Sequence, residues 1–226
     1  MPERVEIDES ILAQDQQEAA AIRERLRQAG CVAINLMGSP GAGKTALLER
    51  TAELAAGRWR MAAVQGDVAT DLDAQRLQGR GIPAVQVTTS TFGGQCHLDA
   101  RMVARALSSL DLRGTDLLFI ENVGNLICPA AFDLGESARV VVLSVSEGEE
   151  KPLKYPAIFQ GVSAVLISKT DLLPHVAVSL ARLQENVRAV APTAQVLACS
   201  ALSGEGMADW TGWLERVLAQ ERGGGG

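Results

Sequence analysis

Gly38-Ser39-Pro40-Gly41-Ala42-Gly43-Lys44-Thr45 is a full match to the pattern G-x-x-x-x-G-K-S/T. It follows a continuous apolar segment at residues 31–37 and precedes an alanine- and leucine-rich segment at residues 46–56. A strand, a glycine-rich turn and a helix in this order form the context in which the pattern binds phosphates. Glycines let backbone N–H groups turn toward phosphate oxygens, and the helix N-terminus adds partial positive charge. We therefore expect a triphosphate site, with Lys44 at the β- and γ-phosphates and the Thr45 hydroxyl on Mg²⁺.

Apolar segments alternate with helix-like segments along the rest of the chain. Strands are predicted at residues 31–37, 60–65, 84–89, 116–123, 139–145, 164–168 and 195–199. Helices are predicted at residues 8–29, 46–56, 71–78, 97–110, 176–190 and 207–219. Continuous apolar strands separated by helices predict a mostly parallel sheet with helices on both faces. Together with the phosphate loop, this pattern predicts the α/β fold of P-loop nucleoside-triphosphate hydrolases.

Length and composition narrow the class of protein further. A chain of 226 residues fits an N-terminal helix at 1–30, one nucleotide-binding domain at 31–222 and a flexible glycine tail at 223–226. The net charge of −6 argues against a general nucleic-acid binder. The sequence contains no run of 18 apolar residues for a membrane span, and residues 1–8 are acidic and polar, unlike a secretory signal. We expect a cytoplasmic protein whose four cysteines are thiols or metal ligands.

Two acidic residues stand at the ends of predicted strands. Asp67 follows the second strand, and Glu121 follows the apolar run at residues 117–120. In parallel α/β sheets the ligand lies beyond the carboxyl ends of the strands, so both carboxylates should face the magnesium and phosphate groups. The alternative for each is a helix cap or a solvated side chain. Asp71 and Asp73 are weaker candidates, because Asp71 also suits the start of a helix.

A second motif follows the strand at residues 164–168. Ser168-Lys169-Thr170-Asp171 resembles the guanine-binding N-K-x-D motif of GTPases, in which the aspartate accepts hydrogen bonds from the guanine N1–H and amino groups. Lys169 would lie over the base, and serine replaces the usual asparagine at Ser168. One strand later, Ser200-Ala201-Leu202 resembles the S-A-x loop whose backbone touches the guanine oxygen. The alternative is an ordinary strand-to-helix turn in which Asp171 caps the helix.

Thiol and imidazole groups form a third candidate site. Cys96 and His97 are adjacent in a glycine-containing loop, and Cys128 follows the strand that ends near Glu121. Thiolate and imidazole ligands suit Zn²⁺ or Ni²⁺, and three protein ligands would leave a position open or shared between subunits. The alternative is a loop pair that binds no metal. The remaining residues of these types have a structural interpretation: Cys31 and Cys199 as core residues and His175 as a surface residue.

Residues 31–220 resemble the hydrogenase nickel-incorporation GTPases, the accessory protein B family of nickel–iron hydrogenase maturation. The most specific stretches are Gly66-Asp67-Val68-Ala69-Thr70-Asp71, Gln95-Cys96-His97-Leu98-Asp99-Ala100 and Glu121-Asn122-Val123-Gly124-Asn125-Leu126-Ile127-Cys128-Pro129. Urease accessory GTPases share the fold and the P-loop but lack the Glu-Asn-Val-Gly-Asn-Leu run.

The resemblance implies GTP hydrolysis with Mg²⁺, a nucleotide-linked homodimer, and Ni²⁺ or Zn²⁺ bound by Cys96, His97 and Cys128 near the dimer interface. It also implies the hydrogenase large subunit and nickel-maturation accessory proteins as partners. Residues 1–30 contain no cysteine or histidine, so we expect no N-terminal nickel store. Two alternatives stay open: a regulatory NTPase that recruits a partner without metal, and a urease-type nickel chaperone GTPase.

Overall fold

The computed structural model of the chain describes residues 9–67, 71–92 and 96–223, with side-chain surroundings for all of these except residues 9–14, 91 and 92. Three of the sequence predictions therefore extend beyond the described residues. They concern the acidic start at 1–8, the loop residues 68–70 and 93–95, and residues 224–226 of the tail predicted at 223–226, whose first residue Gly223 ends the last helix.

Seven parallel strands form a single sheet in the order β3-β2-β4-β1-β5-β6-β7. The strands are β1 Val32–Met37, β2 Met61–Asp67, β3 Ala84–Thr88, β4 Leu117–Glu121, β5 Ala138–Ser144, β6 Ala164–Ser168 and β7 Gln195–Ala198. The α-helices are α1 Glu9–Ala29, α2 Lys44–Ala55, α3 Leu72–Gly79, α4 Ala100–Leu107, α5 Lys151–Lys154, α6 Leu180–Val190 and α7 Met207–Gly223. Short 3₁₀ turns lie at Thr89–Phe92, Cys128–Ala131, Val145–Glu147, Pro156–Phe159 and Thr170–His175. The predicted parallel α/β architecture is confirmed.

Alternate residues of the central strands pack against helices on opposite faces of the sheet. Ile34 of β1 belongs to a buried cluster with Leu48 of α2 and Trp210 of α7. The neighbouring residue Ala33 belongs to a second cluster with Ile22 of α1, which packs against α4. Because both faces are covered, the strands need apolar residues at every position, which is the continuous pattern of the sequence. Among the described helices, none combines the length and apolar character that crossing a bilayer requires.

Several element boundaries differ from the sequence-based prediction. The helix predicted from residue 97 begins at Ala100, because the Asp99 carboxylate accepts the N–H of Met102 at 2.8 Å and caps the helix there. His97 is therefore a loop residue. The helix predicted from residue 176 begins at Leu180, after a 3₁₀ turn that ends at His175 and a cap by Ser179. These shifts leave the loops at the carboxyl ends of the strands longer than the sequence pattern indicated.

Candidate nucleotide and metal sites

The phosphate loop joins β1 to α2 with backbone that only glycine adopts readily. Gly38 has a φ of 151°, and a Cβ atom there would lie 2.3 Å from the Val142 carbonyl oxygen. Gly43, directly before α2, has a left-handed φ of 93°. Lys44 folds back over the loop, and its Nζ donates to the carbonyl oxygens of Gly38 and Ser39 at 3.3 and 3.2 Å. The loop therefore presents the start of α2 and one buried ammonium group to the same space.

Thr45 and Glu121 meet beside this loop. The Thr45 hydroxyl donates to both oxygens of the Glu121 carboxylate, at 3.0 and 3.2 Å. Both residues are buried. Burial raises the pKa of Glu121 to about 6 against the opposing attraction of Lys44, and burial lowers the pKa of Lys44 against the attraction of Glu121. A buried hydroxyl and carboxylate in contact are a pair of oxygen ligands suited to a hard divalent cation.

A pocket of about 440 Å³ opens in front of these groups. The predicted residues Lys44, Thr45, Asp67 and Glu121 all line it, together with Pro40, Gly41, Gly43 and Lys169. Further lining residues include Asn122 and Gly124, from the stretch at residues 121–129 that carries the family resemblance, and Asp73, a weaker candidate from the sequence. Arg76 also lines the pocket, and the sequence motifs gave no signal for it. Of the two aspartates that the sequence ranked as weaker, Asp71 is engaged elsewhere, because its carboxylate accepts from the Gln75 side chain at 2.8 Å.

The segment predicted to bind the base is tied to the phosphate loop. The Ser168 hydroxyl donates to the Ala42 carbonyl oxygen at 2.6 Å. Lys169 has a left-handed φ of 60°, and its Nζ donates to the Gly41 carbonyl oxygen at 2.6 Å. The side chain of Lys169 therefore lies along the same edge as the phosphate loop.

Asp171 is oriented by the second predicted base-binding segment. The Ser200 hydroxyl donates to Asp171 Oδ1 at 2.5 Å, and Ser200 itself is fully buried. Ala201 and Leu202 follow in a turn, where Leu202 is 85% exposed. No side-chain hydrogen bond caps the described turn at Thr170–His175, so the alternative of Asp171 as a cap has no contact to support it.

Cys96, His97 and Cys128 come together from two separate loops. One ligand atom from each lies within 4.8 Å of the others, and Cys96 Sγ is 4.0 Å from His97 Nδ1. The His97 ring stacks on Phe132 with the ring centroids 3.8 Å apart, and burial lowers the pKa of His97, which favours the neutral imidazole that binds metals. A hydrogen bond with Cys96 raises the pKa of Cys128. Two sulfur atoms and one imidazole nitrogen at this spacing suit one borderline-soft metal ion.

Hydrogen bonds and close packing connect this cluster to the nucleotide pocket. Asn122, directly after Glu121, accepts the backbone N–H of Leu98 at 3.0 Å, and Leu98 directly follows His97. A Cβ atom on Gly66, next to Asp67, would lie 2.9 Å from the Leu98 side chain. Asn125 donates its backbone N–H to the Gly38 carbonyl oxygen at 3.1 Å. Both loops of the cluster therefore contact segments that also form the phosphate site.

The remaining cysteines and the second histidine lie apart from this cluster. Cys31 and Cys199 are buried in the core, where burial raises the pKa of each thiol to about 12. His175 is exposed at the end of its turn. The structural interpretation of these three residues is confirmed.

The sheet order, the phosphate loop and the carboxylate beside Thr45 define a P-loop protein of the nucleoside-triphosphate hydrolase class. Residues 32–198 match the family model described as CobW/HypB/UreG, nucleotide-binding domain. Over 210 residues the chain is 50% identical to the hydrogenase maturation factor HypB of Azotobacter vinelandii, a match that covers 93% of this chain and 68% of that protein. The chain belongs to this family and, within it, to the hydrogenase maturation factors of the HypB type.

Two solved structures support the same assignment. The hydrogenase maturation factor HypB of Archaeoglobus fulgidus has a TM-score of 0.84 and 38% identity, covering 91% of this chain and 99% of that one. HypB of Helicobacter pylori, solved in complex with nickel, has a TM-score of 0.86 and 36% identity, covering 92% of this chain and 96% of that one. The likeness therefore extends beyond the phosphate loop to nearly the whole chain.

Proposed function

We propose that the protein hydrolyses GTP and uses its nucleotide state to bind and release nickel for insertion into a hydrogenase. The observation that carries the proposal is the grouping of Cys96, His97 and Cys128 within 4.8 Å on loops that contact the nucleotide pocket. Membership of the HypB family and the nickel complex of the Helicobacter pylori relative support nickel as the metal that is carried. Zn²⁺ suits the same ligands and is the competing ion.

Hydrolysis is assigned to the groups that line the phosphate pocket. Backbone N–H groups of the loop and Lys44 hold the β- and γ-phosphates, while Thr45, Asp67 and Glu121 are the oxygen ligands for Mg²⁺. Magnesium, when bound, supplies positive charge to the phosphate oxygens. The contact between Thr45 and the buried Glu121 carboxylate supports this ligand pair.

Selection of guanine is assigned to Asp171. The bond from Ser200 fixes one carboxylate oxygen and leaves the other to accept from the base. Adenine lacks the adjacent N–H and amino donors of guanine, so a carboxylate side chain at this position favours GTP over ATP. Ala201 and Leu202 complete the loop at the base oxygen.

The metal is cargo in this proposal, and the site has the character that delivery requires. Two thiols and one imidazole are too few for a closed tetrahedral site, so the ion stays exchangeable. We propose a nucleotide-linked homodimer in which the partner subunit supplies further ligands. The receiving proteins are the hydrogenase large subunit and the other accessory proteins of maturation.

Coupling between the two sites follows from their shared segments. Glu121 contacts Thr45, while the next residue, Asn122, holds the backbone of Leu98 beside His97. A change in the position of Glu121 between GTP and GDP therefore alters the geometry of the metal ligands. By linkage, the metal must change nucleotide affinity by the same factor.

The proposal is tested by titrating Ni²⁺ and Zn²⁺ into the protein loaded with GDP or with a non-hydrolysable GTP analogue. Wild type should bind the metal with an affinity that depends on the nucleotide. Cys96→Ala and Cys128→Ala should lose this binding, because two ligands hold the ion much less tightly than three. His175→Ala is the matched control, since the exposed second histidine should leave binding unchanged.

Steady-state hydrolysis with GTP and ATP accompanies the titration. Lys44→Ala should abolish turnover and keep the fold, and GTP should be strongly preferred over ATP. Equal metal affinity in wild type, Cys96→Ala and Cys128→Ala would refute the proposed metal site and favour the alternative of a regulatory NTPase that binds no metal. Equal metal affinity with both nucleotides would keep the site and remove the coupling.

A further inference from the structure

Two ion pairs cross from α2 to α3 in parallel, one helical turn apart. Arg76 Nη2 lies 2.6 Å from the Glu49 carboxylate, and Arg80 Nη1 lies 2.5 Å from the Glu53 carboxylate. The members of each pair are separated by 27 positions, and all four side chains belong to the same two helices or their ends. Both pairs link α2 to α3, although Glu49 is less exposed than Glu53, which also pairs with Arg50.

The surroundings of the two arginines differ. Arg76 lines the phosphate pocket together with Lys44, Thr45 and Glu121, whereas Arg80 lines a separate pocket at the opposite end of the strands. Glu49, the partner of Arg76, lies one turn after Thr45 on α2, so the two side chains are neighbours on that helix. The guanidinium of Arg76 is therefore held within one helical turn of the proposed magnesium ligand.

A second carboxylate holds Arg76 at the pocket. Asp73, one turn earlier on α3, lies 3.0 Å from Arg76 Nη1 and also lines the pocket. The Arg76 side chain remains 48% exposed, so neither carboxylate encloses it. To reach a phosphate, the Arg76 guanidinium gives up two ion pairs, one with Glu49, whose side chain is 17% exposed, and one with Asp73, whose side chain is 41% exposed. Pairs open to solvent contribute about 1 kcal/mol or less each, and the new contact with a phosphate offsets their loss.

The positive charges in the described part of the pocket are few, so the Arg76 guanidinium can contribute to binding the phosphate oxygens. Among the described lining residues, the cations are Lys44, Arg76 and Lys169, and Lys169 is bonded to the backbone of the phosphate loop. Phosphoryl transfer places charge on three equatorial oxygens of the γ-phosphate, and one lysine contacts only part of them. The planar fork of an arginine matches two such oxygens at once.

We infer that Arg76 is a catalytic residue supplied in cis, which leaves Glu49 and contacts the γ-phosphoryl group during hydrolysis. The inference rests on the proposed GTP hydrolysis. The oxygen of water forms a bond to the γ-phosphorus, and the bond from phosphorus to the β–γ bridging oxygen breaks. GDP leaves with that electron pair, one proton of water stays on inorganic phosphate and the other passes to solvent. Arg76 stabilises the charge on the equatorial oxygens and transfers no proton itself.

Single-turnover hydrolysis of GTP by Arg76→Ala tests the inference, with Arg80→Ala as the matched control. Arg76→Ala should slow the chemical step by about 10²-fold or more, while its affinity for a non-hydrolysable GTP analogue changes little. Arg76→Ala should also lose affinity for GDP with aluminium fluoride, which mimics the transition state. Arg80→Ala breaks the other ion pair between α2 and α3, away from the phosphate pocket, and should keep both properties. Arg76→Lys keeps the charge without the fork and should recover part of the rate.

Two results would overturn the inference. Equal slowing in Arg76→Ala and Arg80→Ala would reduce Arg76 to a link between helices. A loss of analogue affinity as large as the loss of rate would make it a ground-state ligand. Should Arg76→Ala not fold, Arg76→Gln and Arg76→Lys carry the comparison, since both retain the aliphatic stem. Wild type that does not hydrolyse GTP at all would instead refute the proposed function.

Discussion

Replacing Glu121 by glutamine should stabilise the protein when nucleotide and magnesium are absent. The carboxylate is buried, and burial raises its pKa from 4.5 to about 6. This value already includes the attraction of Lys44. The folded protein therefore binds a proton that the unfolded chain releases between pH 4.5 and 6, so stability falls as pH rises through this window. The difference of about 1.5 pKa units corresponds to about 2 kcal/mol above pH 6.

Urea unfolding in the presence of EDTA, at several values of pH between 4 and 8, measures this effect. Glu121→Gln should exceed wild type in free energy of unfolding by about 2 kcal/mol at pH 7, with the difference vanishing below pH 4.5. GTP hydrolysis should be lost in the same variant, because the amide cannot replace the carboxylate at a divalent cation. A variant that is less stable than wild type at pH 7, or a difference that does not depend on pH, would refute the argument that burial disfavours the ionised Glu121 carboxylate more than Lys44 and Thr45 stabilise it.

Three further sets of substitutions test the base site, the core and the phosphate loop. Asp171→Asn should turn preference from GTP to xanthosine triphosphate in competition binding, because the amide donates where the carboxylate accepts; continued preference for GTP would remove Asp171 from the base site. Trp210→Phe should cost about 1–3 kcal/mol in urea unfolding, because it loses the indole bond to α2, whereas Trp213→Phe should cost less. Gly43→Ala should cost about 1–2 kcal/mol at its left-handed backbone, while Gly212→Ala within α7 should be neutral or stabilising. Equal effects of Gly43→Ala and Gly212→Ala on the free energy of unfolding would contradict the argument from the left-handed backbone of Gly43.

The order of the elements was predictable from the sequence because each strand is buried on both faces. Seven continuous apolar segments predicted seven strands, and all seven occur within a few residues of their expected positions. The element ends were less predictable, because single side-chain contacts set them. The Asp99 carboxylate starts α4 at Ala100, and a sequence pattern does not distinguish this from a helix that begins at His97.

The site was predictable where a motif fixes the spacing. The phosphate loop and the two strand-end acids line one pocket, as the parallel sheet requires. Arg76 carries no such signal, because its position depends on how α3 packs against α2. The grouping of Cys128 with Cys96 and His97 joins residues 31 or more positions apart, so spacing alone left the metal interpretation open.

The hydrogen bond from Ser168 to the Ala42 carbonyl oxygen affects the affinity of the protein for GTP. Together with the bond from Lys169 to Gly41, it joins the predicted base-binding segment to the phosphate loop through contacts within the protein itself. The conformational entropy of aligning the two segments is therefore lost during folding and not during binding. Guanosine and triphosphate, offered as separate molecules, would each find a preformed half of the site. In intact GTP the two halves are covalently linked, so binding of one half raises the effective concentration of the other at its own part of the site. The affinity of GTP should therefore exceed that of either fragment by several orders of magnitude.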